Sequence, residues 1–315
     1  MAGFDAISNH VGLIFFSVTL DLLLWIGPRL SVAQLVESFF LRAATLAEVD
    51  SPEMANVMSS NREIWQLVAE RFNLFGVLRT FPVGIPSLMV SRAPLAVPGG
   101  ELSVLEMPSF GVAIGLWILL SLIGLVAGTL YFAAVAQAAL DGKVQWGQIM
   151  REWPRNSLQV LLLALFWLAL LLGIGIPLSC LFSFFILSGV QVGPFAVLLV
   201  GLLMAWIFLP LVLSPHGIFV NGRAMWASVV DSMRLTRRTL TTTALFFLMI
   251  IILSEGLDVL WRIPAEDSWL AIIGVAGHAF ITAGLLAATF VYYRDAETWM
   301  HRVIQQVQLS SRKNA

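Results

Sequence analysis

The sequence predicts an all-α membrane protein: a polytopic bundle of six transmembrane helices with amphipathic interfacial helices and an internal parallel repeat. Three observations carry that expectation. Of 315 residues, 59% are hydrophobic and 12% charged, about half the charged share of a soluble domain. Six stretches are apolar for about the 20 residues that a bilayer core requires. Two basic loops also share one short pattern, [DN]-G-[KR]-x-x-W.

The six stretches run approximately over 10–28, 110–137, 158–188, 194–219, 242–261 and 269–293. The first lacks a positively charged n-region, and Gly27-Pro28-Arg29 makes a poor cleavage site, so residues 1–30 are expected to remain as an anchor. Orientation follows from arginine and lysine in the short loops. Lys143, Arg151 and Arg155, then Arg223, Arg234, Arg237 and Arg238, then Arg294, Arg302, Arg312 and Lys313 fall on one side, against Arg262 alone on the other. Both termini are therefore expected in the cytoplasm. The excess of 16 Arg over 2 Lys fits a GC-rich bacterial source, and with it the bacterial cytoplasmic (inner) membrane.

Residues 31–109 then face outward, where a long segment is exempt from the charge rule. They hold eight acidic and five basic side chains and no cysteine. Val32, Leu35, Val36, Phe39, Phe40 and Ala43 form one apolar stripe; Ser60-x-x-Glu63 reads as a capping box opening a second helix through Ile64, Leu67, Val68 and Phe72. Beyond them, Phe81-Pro82-Val83-Gly84-Ile85-Pro86 and Pro94, Pro98 and Pro108 exclude regular helix. The expectation is a cap over the bundle, either a lid or docking surface or a packed Ω-like insert.

At an offset of 80 residues, Asp141-Gly142-Lys143-Val144-Gln145-Trp146 matches Asn221-Gly222-Arg223-Ala224-Met225-Trp226. Apolar positions continue at helical spacing as Trp146, Ile149, Met150, Trp153 and as Trp226, Val229, Val230, Met233. Each loop reads as an interfacial helix with tryptophan at headgroup depth and arginines beside it; Trp146, Trp226, Arg237 and Arg238 are the candidate anchors. A looser third copy follows Trp299 in a tail over 294–315. Duplication would give parallel units over about 110–190 and 194–261 within a five-helix bundle at 110–293, each broken at corresponding depth, at Gly173 and at Gly256. The competing explanation is that any membrane loop gathers Trp and Arg at the interface.

The segment Ala224 to Leu240, AMWASVVDSMRLTRRTL, places a small residue, a serine and an arginine ahead of a span. It resembles the W-x-A-x-x-x-S-x-x-L-x-R arrangement of bacterial six-helix membrane proteins similar to the membrane domain of some glycerophosphodiester phosphodiesterases. The likeness covers roughly residues 111–261. It implies a helical membrane fold and no activity, because the catalytic barrel of those enzymes has no counterpart.

Ionisable groups at membrane depth are costly unless paired or hydrated, which makes each a site candidate. Asp21, Glu255, Asp258 and His278 all fall in the outer half of the expected topology and could line one polar pocket. Glu255 and Asp258 share a helix face at i, i+3, and a facing histidine could exchange a proton or help hold a cation. Read structurally, Asp258 pairs with Arg262 at i, i+4, Glu255 reaches water and His278 bonds a carbonyl; Asp21 has no partner nearby in sequence. His216, beside Pro215, marks a helix break. Gly111 with Gly115 and Gly124 with Gly128 are small-x-x-x-small pairs that permit close helix packing.

The formal charge of −1 argues against nucleic-acid binding. HExxH, GxSxG and Walker patterns do not occur, and the single Cys180 excludes CxxC chemistry and an internal disulfide. The expectation is a non-catalytic accessory, assembly or binding component without cofactor or metal. Its expected partners are the lipid bilayer and a membrane-protein partner or second copy. The alternative is a small-solute or proton/cation-coupled permease using the acidic outer pocket.

Overall fold

The computed structural model describes residues 2–46, 52–100, 102–188 and 193–313. Almost all of the ordered elements are helices. Five are long and apolar enough to cross a membrane: α6 (Phe110–Asp141), α7 (Trp146–Leu187), α8 (Pro194–Phe208, continued by a 3-10 turn and α9, Ser214–Asn221), α11 (Leu240–Trp261) and α12 (Ala271–Lys313). The chain is a multi-pass membrane protein.

The expected first span, over 10–28, is matched by a 3-10 turn and the helix that follows it, and a short helix precedes them. α1 (Ala2–Asn9) meets the unit formed by a 3-10 turn and α2 (Phe15–Ile26) at 92°. α1 lies across α12, where a Cβ on Gly3 would meet the Ala288 amide nitrogen at 2.5 Å. Side-chain absence thus sets the crossing, and the polar run Ser8-Asn9-His10 marks where the bend falls.

α12 occupies the centre of the packing. Ala271, Val275, Ala279, Ala283, Ala287 and Phe290 fall along one face at steps of four and three, and all are fully buried. Around them lie Leu13, Leu20, Leu24 and Trp25 from the N-terminal pair and Tyr131, Phe132 and Val135 from α6.

Two glycines turn the chain at the basic end. Gly142 (φ +65°) and Gly222 (φ +59°) both end a helix in the left-handed conformation, so the shared DG and NG dipeptides adopt the same turn. The copies then diverge. The sequence predicts a separate surface helix after Gly142, but α7 runs unbroken for 42 residues, about 63 Å, so Trp146 to Trp153 are simply its first turns. After Gly222, α10 (Met225–Arg238) is a separate helix that ends at Thr239, and α11 begins at once. Nor does either long helix break where the alignment placed a break, since Gly173 lies inside α7 and Gly256 inside α11.

The insert over 31–109 is closed at its neck by two short parallel strands, β1 (Arg29–Ser31) and β2 (Val104–Glu106), with Arg29 opposite Val104 and Ser31 opposite Glu106. It contains α3 (Ala33–Leu46), α4 (Pro52–Arg71) and α5 (Leu88–Arg92). Ser60 and Glu63 lie in the middle of α4, so the expected capping box does not open it.

Candidate functional site

Within the insert, residues 74–92 are wedged into the bundle. Val83, Leu88 and Met89 are buried, and Val83, Ile85 and Met89 join the main core. α6 admits this segment through its glycines: a side chain at Gly124 would collide with the Leu78 carbonyl, and a Cβ at Gly128 would lie 3.0 Å from Gly84 Cα and from the Val83 carbonyl. Gly124 stands 14 residues from Phe110, about 21 Å along the axis and well inside a hydrocarbon core about 30 Å thick. The small-residue pair therefore receives the backbone of the insert rather than a helix. Gly111 has only the Ser109 hydroxyl at 4.0 Å, and Gly115 has nothing within 4 Å.

Asp21 holds the far end of the wedge. Ser87, the N-cap of α5, donates its hydroxyl to Asp21 Oδ1 at 2.5 Å and accepts from the Val90 amide at 3.1 Å. The Met89 amide donates to Oδ1 at 2.9 Å and the Leu88 amide to Oδ2 at 3.2 Å. One fully buried carboxylate thus satisfies two of the amides a helix start leaves free. Asp21 is consumed by protein donors and does not open into a pocket.

Asp258 and His278 come together, with Asp258 Oδ1 3.6 Å from His278 Nε2. Asp258 also lies 3.8 Å from Arg262, which donates to the Ser91 hydroxyl at 3.0 Å. His278 is 5% exposed and its Nδ1 has no partner among the described residues. Glu255, one turn from Asp258, is exposed. The four candidates therefore separate into a helix cap (Asp21), a loose pair (Asp258 and His278) and a side chain facing outward (Glu255).

Residues outside those four tie the arrangement together. Arg79 donates to the Ser87 carbonyl at 3.3 Å, and its charge acts on Asp21, on Asp258 and on His278. Arg92 donates to the Pro264 carbonyl at 2.5 Å and lies 3.7 Å from Glu266; Glu266 in turn accepts from the Leu95 amide at 3.0 Å, and its carbonyl accepts from Trp25 Nε1 at 2.8 Å. The signal for Ser87 was present in the sequence. An aspartate in a span with no local partner requires donors from elsewhere, and Pro86-Ser87 ahead of an apolar run is a helix start.

Arg79 and Phe81 also edge the outside of the bundle. A groove of about 610 Å³ between α6 and α7 is lined by Arg79, Phe81, Trp117, Leu122 and Leu168, and a second of about 510 Å³ reaches from Phe81 to Phe208 and Phe247. Phe81 meets Trp167 edge to face at 5.1 Å, and Trp167 stacks on Phe208 at 5.1 Å.

At the basic end, Trp146 and Trp226 are exposed, and Trp226 touches Phe166 at 5.3 Å. Arg237 and Arg238 are exposed too. α10 is more than a surface float, however. Ser232 donates to the Pro210 carbonyl at 2.8 Å, and Arg223 bridges Asp231 at 2.5 Å and Glu297 at 2.7 Å. His216 sits just past the break between α8 and α9, its Nε2 2.7 Å from the Thr289 hydroxyl. Among the described residues, no three His, Cys, Asp or Glu side chains gather as a metal site. No protein-family model, no curated protein and no solved structure matches this chain.

Proposed function

We propose that the protein is a non-catalytic accessory, assembly or binding component of the bacterial inner membrane. It crosses six times with both termini in the cytoplasm, the bent N-terminal pair making one crossing. We read its two glycine turns as remnants of a parallel duplication. The observation that carries the assembly reading is on the insert. α3 and α4 pack on each other, yet Ile64, Trp65, Leu67 and Val68 of α4 stay exposed. Grouped apolar side chains outside the spanning bundle favour a docking face. The wedge would present that face in a fixed orientation.

Purification of the full chain in mild detergent, followed by intact-particle mass determination, tests this. A fixed-ratio complex with another membrane protein or a second copy, lost in Leu67→Glu, supports it. The runner-up, a permease, is favoured by the Asp258–His278 pair; a monomer whose solute flux disappears in Asp258→Asn would replace the assembly reading.

A further inference from the structure

We infer that the insert carries a binding pocket for an organic anion, a carboxylate or phosphate on a short apolar body, centred on Arg29. The pocket is about 190 Å³ and is lined by Arg29, Arg71 and Asn73 together with Leu24, Phe72 and Met89. It lies where the neck of the insert meets the end of α2. Its size is below the range of drug-sized sites, so its ligand is small.

Arg29 is 7% exposed, and its buried Nε has no hydrogen-bond partner among the described residues. Glu106 and Glu70 act on its charge, but neither reaches ion-pair distance. A buried guanidinium without a paired carboxylate is costly, and an incoming anion would remove that cost. Arg71 places a second cation on the same cavity. Asn73 orients a third donor: its side-chain carbonyl is occupied by the Leu30 amide at 3.2 Å and the Phe75 amide at 3.1 Å, which leaves its NH2 group for the pocket. No carboxylate lines the cavity among the described residues. Two guanidinium groups and an amide among apolar lining side chains fit an acid group attached to a hydrocarbon, not a cation or a bare sugar.

Such an anion can be soluble or can be the headgroup of a lipid, and one titration separates the sources. The full chain is reconstituted in nanodiscs of phosphatidylcholine alone and titrated by calorimetry with hexyl phosphate, hexanoate and hexylammonium. Saturable binding of the two anions and none of the cation is expected. Arg29→Gln and Arg71→Gln should each weaken that binding about tenfold or more. Arg71 is exposed, so its variant decides the matter if Arg29→Gln fails to fold. Repeating the titration in nanodiscs containing phosphatidylglycerol assigns the source: competition by the lipid names a headgroup, and unchanged binding names a soluble anion. Absence of saturable anion binding to the folded wild type, equal binding of the cation, or wild-type affinity in the folded variants overturns the pocket.

Discussion

α12 and α8 are both apolar enough to span a membrane, and their fates are opposite. The most hydrophobic window of α12 has a mean hydropathy of 1.9 and is 50% buried, whereas that of the span containing α8 reaches 2.7 and is 11% buried. Ranking by hydropathy alone would invert the two. α12 packs through Val275 and the small side chains of Ala271, Ala279, Ala283 and Ala287, spaced at four-residue steps, while α8 exposes Phe195, Val197 and Trp206. In lipid, a large apolar side chain gains little by leaving the hydrocarbon, and close approach of backbones decides which faces meet. Small residues therefore mark the packed centre, and bulky ones mark the face left to lipid or a partner.

The sharpest way to break that comparison lies in α6. Gly124→Leu should expel the wedge, lowering stability by about 3 kcal/mol or more through overpacking, whereas Gly115→Leu, with open space around it, should change the thermal midpoint little. Equal effects would mean that the two small-residue pairs serve the same contact. Next comes Asp21→Ala, which leaves the Leu88 and Met89 amides without their acceptor and should cost about 3 kcal/mol, measured by thermal unfolding in nanodiscs. Asp258→Asn removes only two partners at 3.6 and 3.8 Å and should cost about 1 kcal/mol or less. Smallest is Trp206→Ala: its side chain is 72% exposed, so the unfolding midpoint of the isolated chain should stay within error.

The five long helices were legible in the sequence because a run of apolar residues is a sufficient instruction in a bilayer. The turns at Gly142 and Gly222 were legible because a glycine after Asp or Asn encodes a helix end. The place of the 92° bend was legible in Ser8-Asn9-His10, which interrupt the apolar run, but its angle was not, since polar residues alone do not encode a direction. The wedge was hidden for a different reason. Pro82, Gly84 and Pro86 say that the segment is not a helix, but not that its backbone will be received by Gly124 and Gly128, about 40 residues later in the chain. Asp21 announced itself as needing partners, and those partners, Ser87, Leu88 and Met89, stand 66 to 68 positions away. Distance along the chain, not any ambiguity in the residues, separated the polar group from its explanation. Glu255 and Asp258 shared a face by spacing, yet only Asp258 turns towards His278.

Asp21 holds the start of α5 inside the bundle through Ser87 and the Leu88 and Met89 amides. Hydrogen exchange of the peptide covering residues 83–92, followed by mass spectrometry on the full chain in nanodiscs, tests it most directly. Strong protection of the Leu88 and Met89 amides in the wild type, lost in Asp21→Ala while peptides from α12 stay protected, is the predicted result. Rapid exchange of those two amides in the wild type, or protection that persists in Asp21→Ala, would contradict it.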